Sequence, residues 1–237
     1  MTSFLADLTF KFFGKHAEIE HHRRSVPLRE TDYWKSVCRG LICGRVPVLP
    51  YVPTRRDVPA RVLRVASAWK GIDSILSDLM RRFAIGNQRC LEFGVEHGYS
   101  TVALSNFFGT VTGVDTFTGD EHTQDSRDLF ADTSARLSNY KNIQLIRSDY
   151  RDWISKDESF YDLIHVDIVH TYLETFACGL WSARHAQCVL FHDTETFPSV
   201  KQAVRDIARL TGMRFYNFKE SCGLGILVST QEHTWNP

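Results

Sequence analysis

Residues 88–122 constrain the fold more than any other stretch of this 237-residue chain. The apolar run Cys90-Leu91 ends in Glu92 and Phe93, a turn carrying Gly94 and Gly98 follows, and a helix begins near Ser100 and Thr101. A second apolar run, Val111 to Val114, ends in Asp115 and Thr116. This order is a strand–turn–helix–strand unit, with two acids at the carboxyl ends of neighbouring parallel strands. In an open α/β sheet that edge is where a nucleotide-like ligand sits.

The spacing then discriminates among ligands. A dinucleotide fold uses G-x-G-x-x-G so that backbone amides and a helix N-terminus can hold a pyrophosphate. Here the glycines are four apart, with Glu92 before them and Glu96 between them. Carboxylates would repel a diphosphate and suit a cation. The segment Glu92-x-Gly94-x-x-x-Gly98 resembles the first motif of class I S-adenosylmethionine (SAM)-dependent methyltransferases, and Asp115 resembles their ribose-binding acid. A tight turn with a solvated strand-end acid is the plain alternative.

Strand-like runs at 90–93, 111–114, 143–146, 163–166 and 188–191 alternate with helical patterns at about 100–108, 125–139, 171–184 and 199–211. Two last runs, near 213–218 and 224–229, read as an antiparallel hairpin closing one edge. Alternation of this kind predicts a mostly parallel, seven-stranded sheet with helices on both faces. Five of the seven prolines fall between Pro27 and Pro59, so 45–59 reads as an extended connector. Apolar residues at helical spacing from Ile72 to Phe83 predict an amphipathic helix over 69–83. The division expected is a basic, Pro-rich appendage over 1–68 and a methyltransferase domain over 69–237.

Polar groups cluster after two further strands, in Leu163-Ile164-His165-Val166-Asp167-Ile168-Val169-His170-Thr171-Tyr172 and in Leu190-Phe191-His192-Asp193-Thr194. Asp167, Asp193 and His192 form a donor set suited to Mg2+ or Mn2+. His170 is a candidate general base, because an imidazole titrates near neutrality. Helix capping is the alternative for each acid or imidazole taken alone.

With Val114-Asp115-Thr116-Phe117-Thr118-Gly119-Asp120-Glu121-His122, these segments resemble the sugar O-methyltransferases of the macrocin and mycinamicin type, over roughly residues 69–229. Gly223-Leu224-Gly225-Ile226-Leu227 resembles that family's closing strand. The resemblance implies a Rossmann-like methyltransferase fold, metal ligation at Asp167 and Asp193, and His170 as catalytic base beside Asp167. It implies SAM across Glu92, Phe93, Gly94, Gly98, Ser100, Thr101, Asp115 and Thr116, with Asp149 near the adenine. Asp120, Glu121 and His122 are candidate contacts to the hydroxyls of a glycan or small-molecule acceptor. Two departures are Ile168, where the family has glycine, and Cys178, where an acid is common.

Other classes are constrained by charge and cysteine usage. Net charge is zero, without the basic stripe of a nucleic-acid enzyme. Residues 1–85 nevertheless hold 15 basic and 8 acidic side chains, against 13 and 20 in the remainder. Complementary packed faces, a subunit contact in a homo-oligomer or acceptor binding would each use that asymmetry. The six cysteines show no zinc spacing, no apolar run approaches a membrane span and the N-terminus is no convincing signal peptide, so a cytoplasmic protein is expected. A non-catalytic SAM-binding module and an NAD-dependent oxidoreductase are the competing functions, the latter disfavoured by the missing G-x-G-x-x-G.

Overall fold

Burial of alternating apolar residues, with glycine turns at the strand ends, produces eight strands among the described residues. A computed structural model describes residues 46–119 and 127–229. The strands are β1 (Val48–Pro50), β2 (Arg89–Phe93), β3 (Thr110–Asp115), β4 (Ile143–Arg147), β5 (Tyr161–Val166), β6 (Ala186–His192), β7 (Arg214–Phe218) and β8 (Leu224–Val228). The helices are α1 (Leu76–Arg82), α2 (Tyr99–Ser105), α3 (Phe130–Leu137), α4 (Tyr150–Ile154), α5 (Tyr172–His185) and α6 (Pro198–Thr211), with a 3-10 turn over Asp73–Ile75.

All eight strands form one sheet in the order β1-β7-β8-β6-β5-β2-β3-β4. Only β8 runs against its neighbours: it is antiparallel to both β6 and β7. The expected hairpin is therefore present, but β8 lies inside the sheet rather than at its edge. The eighth strand comes from the proline-rich connector, where β1 pairs parallel with β7 from Val48↔Phe215 to Pro50↔Asn217. Proline is tolerated there because an edge strand has one side without ladder bonds. The connector then anchors inward: Tyr51 is 3% exposed, and its hydroxyl donates to Asp78 at 2.8 Å. The segment from residue 46 to 68 thus packs as part of the sheet unit.

Period-two alternation along each central strand feeds two cores. Leu91, Phe93, Ile164, Val166, Val189 and Phe191 face α5 and α6. Cys90, Leu163, Cys188 and Leu190 face Trp69, the 3-10 turn, α1 and α2. Cys90, Cys178 and Cys188 are buried free thiols, whereas Cys222 is exposed. Among the described residues, no helix is long and apolar enough to cross a membrane.

The chain leaves β2 toward β3 and β4 on one side and returns to β5 on the other, so the strand order reverses between β2 and β5. Crevices open outside the carboxyl ends of strands at such a point.

Candidate active site

A cavity of about 240 Å³ lies at that reversal, lined by the ends of β2, β3, β4 and β5 and by residues 66–69. Gly94, Ser100, Asp115, Thr116, Asp149, Asp167 and His170 all line it. It is walled by the turn from Gly94 to Gly98, in which Gly94, Glu96 and Gly98 all have positive φ (87°, 51° and 82°). A Cβ at Gly94 would lie 1.7 Å from the Asp167 carbonyl oxygen, so only glycine lets the ends of β2 and β5 approach this closely. The Asp167 N–H donates to the Phe93 carbonyl at 2.8 Å across the same seam.

Asp115 fixes the turn. Its Oδ2 accepts the N–H groups of Val95 (2.7 Å) and Glu96 (2.9 Å), and its Oδ1 accepts the Phe117 N–H at 2.7 Å. Three of about four lone-pair sites on a carboxylate are thereby used. Thr116 is exposed at the rim, with its hydroxyl 3.0 Å from that of Thr118. Four residues expected at the cofactor do not reach the cavity surface in this way. Glu92, Phe93 and Thr101 are each 0% exposed and, like Gly98, do not line the cavity. Glu92 accepts the Thr101 hydroxyl and lies 3.0 Å from His165 Nδ1. Phe93 packs edge-on against Tyr150 and Trp181, while Gly98 starts α2 in the left-handed region.

On the β4 side, Asp149 caps α4, accepting the Arg151 N–H at 2.8 Å, and pairs with the Arg151 guanidinium at 2.9 Å. The guanidinium also reaches Glu174 on α5, whose other oxygen accepts the Tyr150 hydroxyl. Arg151, Tyr150 and Glu174 line the cavity, and sequence reasoning did not assign them. One signal was available: Thr171-x-x-Glu174 has capping-box spacing, and the Thr171 hydroxyl does accept the Glu174 N–H. Cys178, one turn further along α5, is fully buried, so the acid on this helix face comes from Glu174.

Asp167, His170, His192 and Asp193 come together beyond the ends of β5 and β6. His170 Nε2 lies 2.8 Å from Asp193 Oδ2 and 3.5 Å from Asp167 Oδ1. His192 Nδ1 lies 3.1 Å from Asp193 Oδ2 and 3.4 Å from Asp167 Oδ2. His170 stacks on Phe197 at 4.3 Å, which fixes its ring plane. Asp193 holds a left-handed φ of 64°, a conformation asparagine and aspartate tolerate best. It is secured by the Phe197 N–H on its carbonyl and by Cys222, whose carbonyl accepts the Glu195 and Thr196 N–H groups.

Burial opposes charge on all four members, yet the facing charges prevail. His192 and His170 hold Asp167 well below the usual carboxylate range and Asp193 down to about 2. The two carboxylates raise His170 to about 9 and His192 to about 10. The cluster is thus two imidazolium–carboxylate pairs at neutral pH. It also fits a divalent cation, since Asp167, His170 and Asp193 can each offer one ligand atom, all within 4.8 Å of one another. A cation entering there must displace imidazole protons. Ile168, in place of glycine, is half-buried: it packs against the α5–α6 core and also lines the cavity. Asp120, Glu121 and His122 lie outside the described residues.

Residues 91–194 match a protein family described as a methyltransferase domain. No curated protein matches the sequence. Among solved structures, SAM-bound CalS10, an amino pentose methyltransferase from Micromonospora echinaspora involved in calicheamicin biosynthesis, is similar at 12% identity and a TM-score of 0.52, covering 70% of this chain and 93% of that chain. A Klebsiella pneumoniae protein assigned as an O-methyltransferase is similar at 13% identity and a TM-score of 0.51, covering 91% and 97%. At such identities the likeness is one of fold. The fold is the Rossmann-like sheet of these methyltransferases, and the matched methyltransferase domain spans β2 to the end of β6 within it.

Proposed function

We propose that this chain transfers the methyl group of SAM to a hydroxyl of a sugar or glycosylated small molecule, assisted by a divalent cation. The observation carrying the proposal is that His170 and Asp167 line the same cavity as Gly94 and Asp115. The candidate proton acceptor and the candidate cofactor turn thereby border one cavity, the arrangement that methyl transfer to oxygen needs.

SAM would lie along the Gly94–Ser100 turn, with Asp115 and Thr116 at its ribose and the Asp149–Arg151 pair at its adenine. The acceptor oxygen attacks the methyl carbon in line with the sulfur. In this reading the C–O bond would form as the S–C bond breaks, S-adenosylhomocysteine (SAH) would leave, and His170 would take the hydroxyl proton. Mg2+ or Mn2+, held by Asp167, Asp193 and His192 so that His170 stays free to act as base, would supply Lewis acidity that lowers the pKa of the hydroxyl. Chemistry favours this cation: while Asp167 and Asp193 face His170 uncompensated, the imidazole stays protonated and cannot accept a proton. His170 rather than His192 is the base, because it lines the cavity while His192 is 3% exposed beneath it. Positioning supplies much of the acceleration, since the donor is already activated.

The test is methyl transfer from labelled SAM to a panel of glycosides and nucleotide-sugars, with and without EDTA. Turnover that EDTA abolishes and Mg2+ restores supports the whole reading. Turnover indifferent to EDTA removes the cation, and calorimetry showing NAD binding without SAH binding removes the methyltransferase.

A further inference from the structure

Four side chains shielded from solvent form a hydrogen-bond relay beneath the cavity. The Trp69 indole N–H donates to His165 Nε2 at 3.1 Å. The other imidazole nitrogen lies 3.0 Å from Glu92 Oε1, and Glu92 Oε2 accepts the Thr101 hydroxyl. Trp69 is 2% exposed and the other three 0%. An indole N–H can only donate. His165 Nε2 must therefore accept, and Nδ1 carries the proton offered to Glu92. The opposite tautomer would set two N–H donors against each other at Trp69. The relay has one direction, Trp69 to His165 to Glu92, met from the far side by Thr101.

Burying a carboxylate and an imidazole in a sheet face costs free energy that an apolar pair would not. The ends of the relay show what this arrangement achieves. Trp69 belongs to the 66–69 strap and itself borders the cavity beside Ala66 and Ser67, so the Thr101 variants, at a residue outside the lining, carry the test. Thr101 sits in the first turn of α2, beside Tyr99 and Ser100, which also line it. Glu92, in the middle, precedes Gly94 by two residues. In the turn from Gly94 to Gly98 the glycines adopt positive φ freely, but Glu96 at 51° is a side-chain-bearing residue in the left-handed region and must be held there by its surroundings. Asp115 grips that turn from β3, and the relay grips its two flanks, β2 and α2.

We infer that Trp69, His165, Glu92 and Thr101 are positioning residues that set the cofactor turn and tie the 66–69 strap to it. Glu92 acts on the cofactor through the turn rather than by touching it. The inference rests on the reading that this cavity takes SAM.

Its test needs no acceptor. SAH binding is measured by calorimetry on the full chain, with thermal melts to verify folding. Trp69→Phe removes the N–H together with part of the ring volume, whereas Thr101→Val exchanges the hydroxyl for a methyl at nearly constant volume and is the cleaner cut. Each is expected to weaken SAH binding about tenfold, the scale of one net hydrogen bond. Thr101→Ser keeps the hydroxyl and should bind within about twofold of wild type. The double variant should lose less than the product of the two single losses, because one cut already releases Glu92. A merely structural role would lower the melting temperature and leave the SAH affinity of the folded protein unchanged, which overturns the inference, as would fully multiplicative losses. If Trp69→Phe does not fold, the Thr101→Val and Thr101→Ser pair decides alone. Absence of SAH binding by the wild type would remove the methyltransferase reading itself, a distinct result.

Discussion

Asp115→Asn separates an acid that touches a ligand from an acid that builds the site. The least disruptive asparagine rotamer keeps its carbonyl where Oδ2 now accepts Val95 and Glu96, and turns its NH2 toward the Phe117 N–H, 2.7 Å from Oδ1. Two donors then face each other, and one charge-assisted bond is lost. Such a bond contributes about 1.5–3 kcal/mol, and leaving the Phe117 N–H without an acceptor adds to the loss. The expected destabilisation is about 2–4 kcal/mol. For a domain of this size that is a fall in melting temperature of roughly 5–15 °C. Because Asp115 also holds Glu96 at positive φ, SAH affinity should fall about tenfold or more on protein that is still folded. Calorimetry and thermal melting on one preparation read both effects. A normal melting temperature with weakened SAH binding would make Asp115 a ligand contact only. No change in either would refute the argument.

Gly94→Ala should yield little folded protein: its Cβ would sit 1.7 Å from the Asp167 carbonyl oxygen at a φ of +87°, and soluble expression with a circular-dichroism melt tests this. Asp78 gives a pH dependence that can be worked out in sign. Burial alone would raise it, but hydrogen bonds from Thr54 and Tyr51 bring it from 3.8 down to about 2. A depressed carboxylate stabilises above its unfolded value and loses that contribution as pH falls through its folded one. Up to about 2 kcal/mol should therefore disappear between roughly pH 4 and pH 2, and Asp78→Asn should flatten this part of a chemical-denaturation series. His170→Ala should retain SAH binding and slow methyl transfer by roughly a hundred- to ten-thousand-fold. Asp193→Ala should abolish EDTA-sensitive turnover, and an acceptor panel with labelled SAM distinguishes the two.

What was legible in the sequence was whatever depended on local pattern. The central strands are apolar runs ending in an acid, so their positions and their shared carboxyl edge follow from residue order, and with them the convergence of Asp167, His170 and Asp193. α4 was not legible, because the five residues of Tyr150–Ile154 are too few for a helical period to register. β1 was hidden by Pro50, which reads as a connector until β7 offers it an edge. Both elements owe their existence to partners that the local sequence does not name.

The same distinction explains Glu92 and Asp115. As strand-end acids in adjacent strands they look alike in sequence, and each was expected at the cofactor. Side-chain alternation turns Glu92 toward the α1–α2 face, where His165 and Thr101 wait, respectively 73 and 9 residues away. Asp115 stands one position beyond the paired end of β2, which registers Phe93 against Val114. It therefore meets the free amides of the turn instead of a side chain. Glu92 registers against Gly113, so Asp115 stands two positions further toward the carboxyl edge, on the same face of the sheet but past the last residue of β2. Which carboxylate is buried beneath the cavity and which lies in its wall is thus set by the pairing of β2 with β3, a long-range property that neither motif carries alone.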